Sequence, residues 1–143
     1  MQKIILDTNV IVSALISNSI PTTILYELVL TKSVVTCLSE EIFTEYVEVL
    51  AREKFHKFPH FKTKAEIVLN KMREISTFYR ADRRIDILTD ASDNKFLELA
   101  AVSYSDYLIT GNTQDFTFDE FEYTKILTPR DYWEKHQLQN NIS

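Results

Sequence analysis

Short aliphatic and β-branched runs alternate along this chain with longer segments of helical period, and this alternation constrains the fold most. Residues 3–6, Lys3-Ile4-Ile5-Leu6, read as a short buried strand. Residues 34–38, rich in β-branched side chains, form a second such run, residues 107–110 a third and residues 125–127 a fourth. Helical signals fill the intervals. Residues 9–15 follow the first strand. Pro21 suits the first turn of a helix reaching to about Leu30. Ser39 reads as an N-cap with Glu40 and Glu41 behind it, and Ile42, Tyr46, Val49 and Leu50 mark an apolar stripe. Strands that alternate with helices favour a mainly parallel sheet covered on both faces, a doubly wound α/β fold.

The rest of the chain is read in the same way. Residues 52–64 are basic and aromatic and contain Pro59, which suits a helix end and an irregular connection. Helix returns over residues 64–75, with Ile67, Val68 and Met72 as core positions. Residues 77–79 suit a short strand or extended link, and residues 83–90 a loop. Asp93 is placed to cap a helix whose apolar face holds Phe96, Leu97, Ala100 and Ala101. Gly111-Asn112 reads as a turn that uses glycine's backbone freedom. Thr128-Pro129 starts a last helix, and the polar tail from about residue 137 is expected to fray. The 143 residues are expected to form a single domain.

Composition removes several classes of function. The chain holds a single glycine, Gly111, so glycine-rich phosphate loops and dinucleotide fingerprints are absent. Its one cysteine, Cys37, excludes an intrachain disulfide and lies in an apolar run that suits a buried, inert thiol. His56, His60 and His136 have no zinc-ligand spacing and read as solvent-facing. A net charge of −5 argues against a broad basic surface. No apolar run approaches the roughly 20 residues of a bilayer span, and no signal peptide is visible. A cytoplasmic protein with no membrane partner is the expectation.

The candidate chemistry lies in acids that follow strands or begin helices. Asp7 comes directly after the first strand, where open α/β sheets place ligands. An Asx-turn or helix cap is its competing role. Glu45 borders the apolar stripe of its helix. Asp90 and Asp93 flank a helix start, and capping competes with metal binding at Asp93. Asp115 follows the strand that ends at Ile109, beside Thr110 and Asn112. Asp119, Glu120 and Glu122 read as a solvated charge run. Acids gathered from distant segments repel one another and are tolerated around a positive centre. With oxygen donors and no Cys/His cluster, that centre is Mg²⁺ or Mn²⁺.

These residues give the chain a family resemblance. Leu6-Asp7-Thr8-Asn9-Val10, Glu45, the run from Asp90 through Asp93 to Phe96, and Tyr107-Leu108-Ile109-Thr110-Gly111-Asn112 occur in the order seen in PIN-domain ribonucleases. The chain resembles especially the toxins of bacterial and archaeal toxin–antitoxin pairs, the VapC-like group. The opening Asp-Thr-Asn-Val after a strand is the most specific element. The resemblance implies a three-layer α/β/α sandwich with a central parallel sheet. It also implies a metal-dependent endoribonuclease with Asp7, Glu45 and Asp93 in the site. Many relatives carry aspartate at the position of Asn112. Here that position is neutral, and Asp115 is the candidate fourth acid.

On this reading Asp7 and Asp93 are the main metal ligands, with Glu45 and Asp115 as further ligands. Thr8, Asn9, Asp90, Thr110 and Asn112 orient ligands or substrate, or form turns. Arg52, Lys54 and Lys57, interleaved with Phe55, Phe58 and Phe61, are candidates for RNA binding, as are Arg83 and Arg84. The competing role for the first group is a solvated loop whose phenylalanines cover the core. A phosphatase of the haloacid dehalogenase type needs a second aspartate where this chain has Asn9, which counts against it. A catalytically degenerate RNA- or protein-binding module is the remaining alternative. By resemblance, the partners are an RNA substrate, a small antitoxin and a second copy of the chain.

Overall fold

Three of the four central strand positions are mainly apolar runs because a parallel strand covered on both faces has little room for polar residues. In the first of these, β1 (Lys3–Leu6), Ile4, Ile5 and Leu6 are buried. The computed structural model describes residues 1–116 and 118–142. It contains a six-stranded sheet. The other strands are β2 (Val35–Leu38), β3 (Thr77–Phe78), β4 (Tyr107–Ile109), β5 (Glu120–Phe121) and β6 (Thr124–Leu127). Their order is β3-β2-β1-β4-β6-β5. All pairings are parallel except β5 with β6.

The helices are α1 (Thr8–Ile16), α2 (Ile20–Thr23), α3 (Glu40–Leu50), α4 (Phe61–Ile75), α5 (Asn94–Ser103) and α6 (Pro129–Ile142). They complete a three-layer α/β/α sandwich. The α2 turn runs on as a π-helix over Ile24–Val29. Two expected caps form: Ser39 Oγ accepts from the Ile42 amide at 3.2 Å, and Thr128 Oγ1 from the Asp131 amide at 3.1 Å. Cys37 is fully buried, and burial pushes its thiol up. Among the described residues no single helix is long and apolar enough to cross a membrane.

The chain builds β1, β2 and β3 outward in one direction, then returns to lay β4 against the other side of β1. This reversal is a topological switch point, where open α/β sheets leave a crevice at the carboxyl ends of their strands. The register pairs Leu6 with Ile109, so the residues that emerge side by side at that edge are Asp7 and Thr110.

Several expectations are corrected. Ile67 is 63% exposed, because α4 begins at Phe61 and buries Phe61, Ala65, Val68 and Met72. That four-three-four spacing turns Ile67 to solvent. Gly111 has no positive φ and an added Cβ would meet nothing within 4 Å, so the turn does not depend on glycine. The tail from residue 137 continues α6 to Ile142, and Gln139 accepts a hydrogen bond from Gln2 at 3.0 Å. His136, half-buried, stacks on Tyr132 and Trp133 within the same helix. The run from Asp119 to Glu122, although exposed at its acids, includes the antiparallel strand β5.

Candidate active site

Asp7 is the innermost acid, only 7% exposed. It occupies the N-cap position of α1, but its side chain makes no capping hydrogen bond. Its Oδ2 instead accepts from the Thr110 hydroxyl at 2.7 Å, across the switch point. Thr110 Oγ1 in turn accepts from the Asn112 amide at 3.0 Å, which fixes the turn after β4. Burial raises the Asp7 carboxyl above its usual range; the Thr110 bond and the nearby Thr8 and Asn9 amides oppose this, and the charge of Glu45 adds to the rise.

Glu45 reaches the same edge from α3. Its Oε2 accepts from the Thr8 hydroxyl, and its Oε1 pairs with Lys95 Nζ at 2.7 Å. One residue on, Tyr46 is fully buried and donates its hydroxyl to the Leu6 carbonyl, just before Asp7. Burial, followed by the charges of Asp7 and Glu45, pushes the Tyr46 hydroxyl well above its usual range. Tyr46 therefore ties α3 to the end of β1 and sets Glu45 beside Asp7. Tyr46→Phe should cost about 1–3 kcal/mol of stability through the bond lost in a buried place. Thermal denaturation measures it, as a fall of roughly 2–4 °C per kcal/mol for a chain of this size.

Asp93 ends a short 3₁₀ turn, Ala91–Asp93, ahead of α5. It stands at the N-cap but makes no side-chain capping bond, contrary to the role its position suggested. The cap of the turn is Asp90, whose Oδ1 accepts from the Ser92 amide at 3.0 Å and the Ser92 hydroxyl at 2.7 Å. These bonds lower the Asp90 carboxyl and give it a structural task. Asp93 behaves oppositely. Its carboxyl is pushed up to about 6, by burial first and then by the charges of Asp7, Asp90 and Asp115, with Lys95 opposing. Asp115 is exposed on the Thr113–Asp115 turn, near enough for Asp93 to feel its charge. Asn9 is exposed at the start of α1.

The acids thus share one electrostatic neighbourhood at the carboxyl edge of the sheet. As donors they are hard oxygens with an excess of negative charge, which suits a hard divalent cation. Among the described residues no three of them stand within reach of one common ion. One Glu45 oxygen is instead given to the Lys95 ammonium.

A cleft of about 740 Å³ adjoins this edge, lined by Phe78, Tyr79, Arg80, Arg83, Arg84 and Lys95 among others. Two of its four acids, Glu40 and Glu98, are engaged, beside Glu41 and Asp82. Glu40 is paired with Arg73 at 2.7 Å, and Glu98, buried, accepts from the Ile85 amide at 2.9 Å. Arg83 pairs with Glu122. Asn94 Oδ1 accepts from the Ile87 and Leu88 amides at 3.3 and 3.0 Å. Asn94 and Glu98, four apart on α5, thereby pin the loop that carries the arginines. Arg52, Lys54 and Lys57 lie beyond the end of α3. Arg52 follows the end of α3 at Leu50 and its cap Ala51. There, Lys54 and Lys57 lie over the rings of Phe55 and Phe58, which pack against the core.

Sequence reasoning gave no role to Lys95, Tyr46 or Glu98 in the site. The available signal was spacing: Asn94 and Glu98 share a helix face, and Lys95 stands in a helix first turn, where a cation is out of place.

Comparison with known proteins agrees with this fold. Residues 3–114 match the PIN domain. The chain belongs to the PIN-domain family. This PIN domain is also 30% identical to the uncharacterized protein MJ1680 of Methanocaldococcus jannaschii, over 126 residues. The match spans 87% of this chain and 80% of that protein. PIN domains are a nuclease-type fold, which places the chain with hydrolases at a coarse level and with proteins that generally use divalent metal ions.

Proposed function

We propose that this protein is a metal-dependent endoribonuclease, the toxin of a toxin–antitoxin pair. The observation that carries the reading is the acidic neighbourhood at the switch point, where Asp7 feels the charge of Glu45 and Asp93 feels that of Asp7, with the Thr110 hydroxyl bound to Asp7 Oδ2. Asp7, Glu45 and Asp93 would hold Mg²⁺ or Mn²⁺, with Asp115 as a further acid. When bound, such an ion supplies Lewis acidity toward water and a phosphodiester. Thr110 holds one Asp7 oxygen. Thr8 holds one Glu45 oxygen, and the other is paired with Lys95. Arg80, Arg83 and Arg84 offer cations to the phosphates of an RNA strand lying in the cleft, and Phe78 and Tyr79 offer rings for unpaired bases. A small antitoxin and a second copy of the chain complete the proposal, on family resemblance.

Purified protein incubated with a panel of single-stranded and structured RNAs should cut internally with Mn²⁺ or Mg²⁺ and not with EDTA. A second reading, a degenerate RNA- or protein-binding module, is favoured by one observation: Asn112 is neutral, and its amide serves the Thr110 turn. RNA retention without cleavage in either metal would select it.

A further inference from the structure

Lys95 is an unusual lysine. Its side chain is only 10% exposed, and its Nζ sits 2.7 Å from Glu45 Oε1 while also donating to the Ser92 carbonyl. It stands in the first turn of α5, a turn that holds no acid. A cation there opposes the helix dipole, and a poorly solvated ammonium is costly unless paired. What offsets both costs is the field of the acids. With Thr8 on one oxygen and Lys95 on the other, Glu45 is satisfied without an ion. Lys95 also lines the cleft beside the site, so an ammonium released from Glu45 has open space to turn into.

We propose that Lys95 is the resident counter-cation of the acidic pocket, occupying Glu45 in the metal-free protein and competing with a divalent ion for that carboxylate. The inference rests on the metal-centre reading above. It makes Lys95 a positioning residue that sets the affinity of the site. Metal entry requires the Lys95–Glu45 pair to open, so the pair weakens binding of the ion while stabilising the empty pocket.

Calorimetric titration of the full chain with Mn²⁺, at fixed pH and low ionic strength, tests this. Lys95→Met should bind Mn²⁺ about tenfold tighter than the parent, since a positive charge a few ångströms from the ion and its ligand is removed. Its melting temperature without metal should fall, and the rise on saturation with Mn²⁺ should exceed the parent's. Lys95→Arg, which keeps the charge, should stay near the parent affinity. Equal or weaker Mn²⁺ binding by folded Lys95→Met would overturn the proposal. If the parent binds no Mn²⁺, acquired binding in Lys95→Met supports it and continued absence refutes it. If the variants do not fold, lysine side-chain NMR of the parent decides. A shift of the Lys95 ammonium group on Mg²⁺ addition supports the proposal, and an unmoved signal overturns it. Failure of RNA cleavage alone would sink the nuclease reading and leave these titrations standing.

Discussion

Asp7→Asn is expected to abolish metal-dependent RNA cleavage, lowering kcat/KM by at least about 10³-fold, which corresponds to roughly 4 kcal/mol of transition-state stabilisation. The same variant should be as stable as its parent or slightly more so. Both expectations come from one arrangement. Asp7 is 7% exposed, and burial holds its carboxyl above the usual range. Asparagine has the same shape and no charge to desolvate, and its amide oxygen can take the Thr110 hydroxyl in place of Oδ2. The backbone bonds on either side, Asp7 N to the Ile109 carbonyl at 2.9 Å and Val10 N to the Asp7 carbonyl at 3.0 Å, do not involve the side chain. A residue kept only to begin α1 would behave otherwise, with little change in cleavage, because asparagine caps a helix as well as aspartate does. Cleavage rates measured beside thermal melts separate the two, and near-parental cleavage by Asp7→Asn would remove the acid cluster from the mechanism.

The features legible in the sequence are those written in local pattern. β1, β2 and β4 appear as mainly apolar runs because central parallel strands are buried on both faces, whereas β6 alternates, with Lys125 exposed between Thr124 and Ile126. Ser39 and Thr128 announce helix starts through a chemistry that acts within three residues. The acids at strand ends could be named as candidates on the same grounds. Their meeting could not. The bond from Thr110 to Asp7 joins residues 103 apart and exists only because β4 returns to the flank of β1. Lys95 was passed over since a lysine between acids looks solvated until the fold brings Glu45 to it. Ile67 was misplaced by a helix start set three residues too late, which rotates the apparent apolar face. Strand β5 is two residues long and its pairing depends on β6, so no local pattern marks it.

Asp93→Asn should stabilise the metal-free protein at neutral pH while lowering cleavage by about 100-fold or more, the range lost when one electrostatic contributor is removed from a site. The Asp93 carboxyl lies at about 6 in the folded protein, against a usual value of 3.8. Between these two values the folded chain keeps a proton that the unfolded chain has released. Stability from this group is therefore complete below about pH 4 and is lost as pH rises through about 6. Asp93 is partly open to water, so screening reduces the effect to something on the order of 1–2 kcal/mol. Asparagine cannot ionise, so the advantage of the variant should be full at pH 7, shrink through the window and vanish near pH 4. Asp7, raised by its own burial and by Glu45, strains the parent in the same direction and stays in the variant. Thermal melts in EDTA from pH 4 to pH 8 read the difference directly. An advantage that is absent at pH 7, or that grows as pH falls, would mean that crowding of negative charge is not what sets the state of Asp93. The cost at neutral pH reflects crowded negative charge, part of which Lys95 offsets.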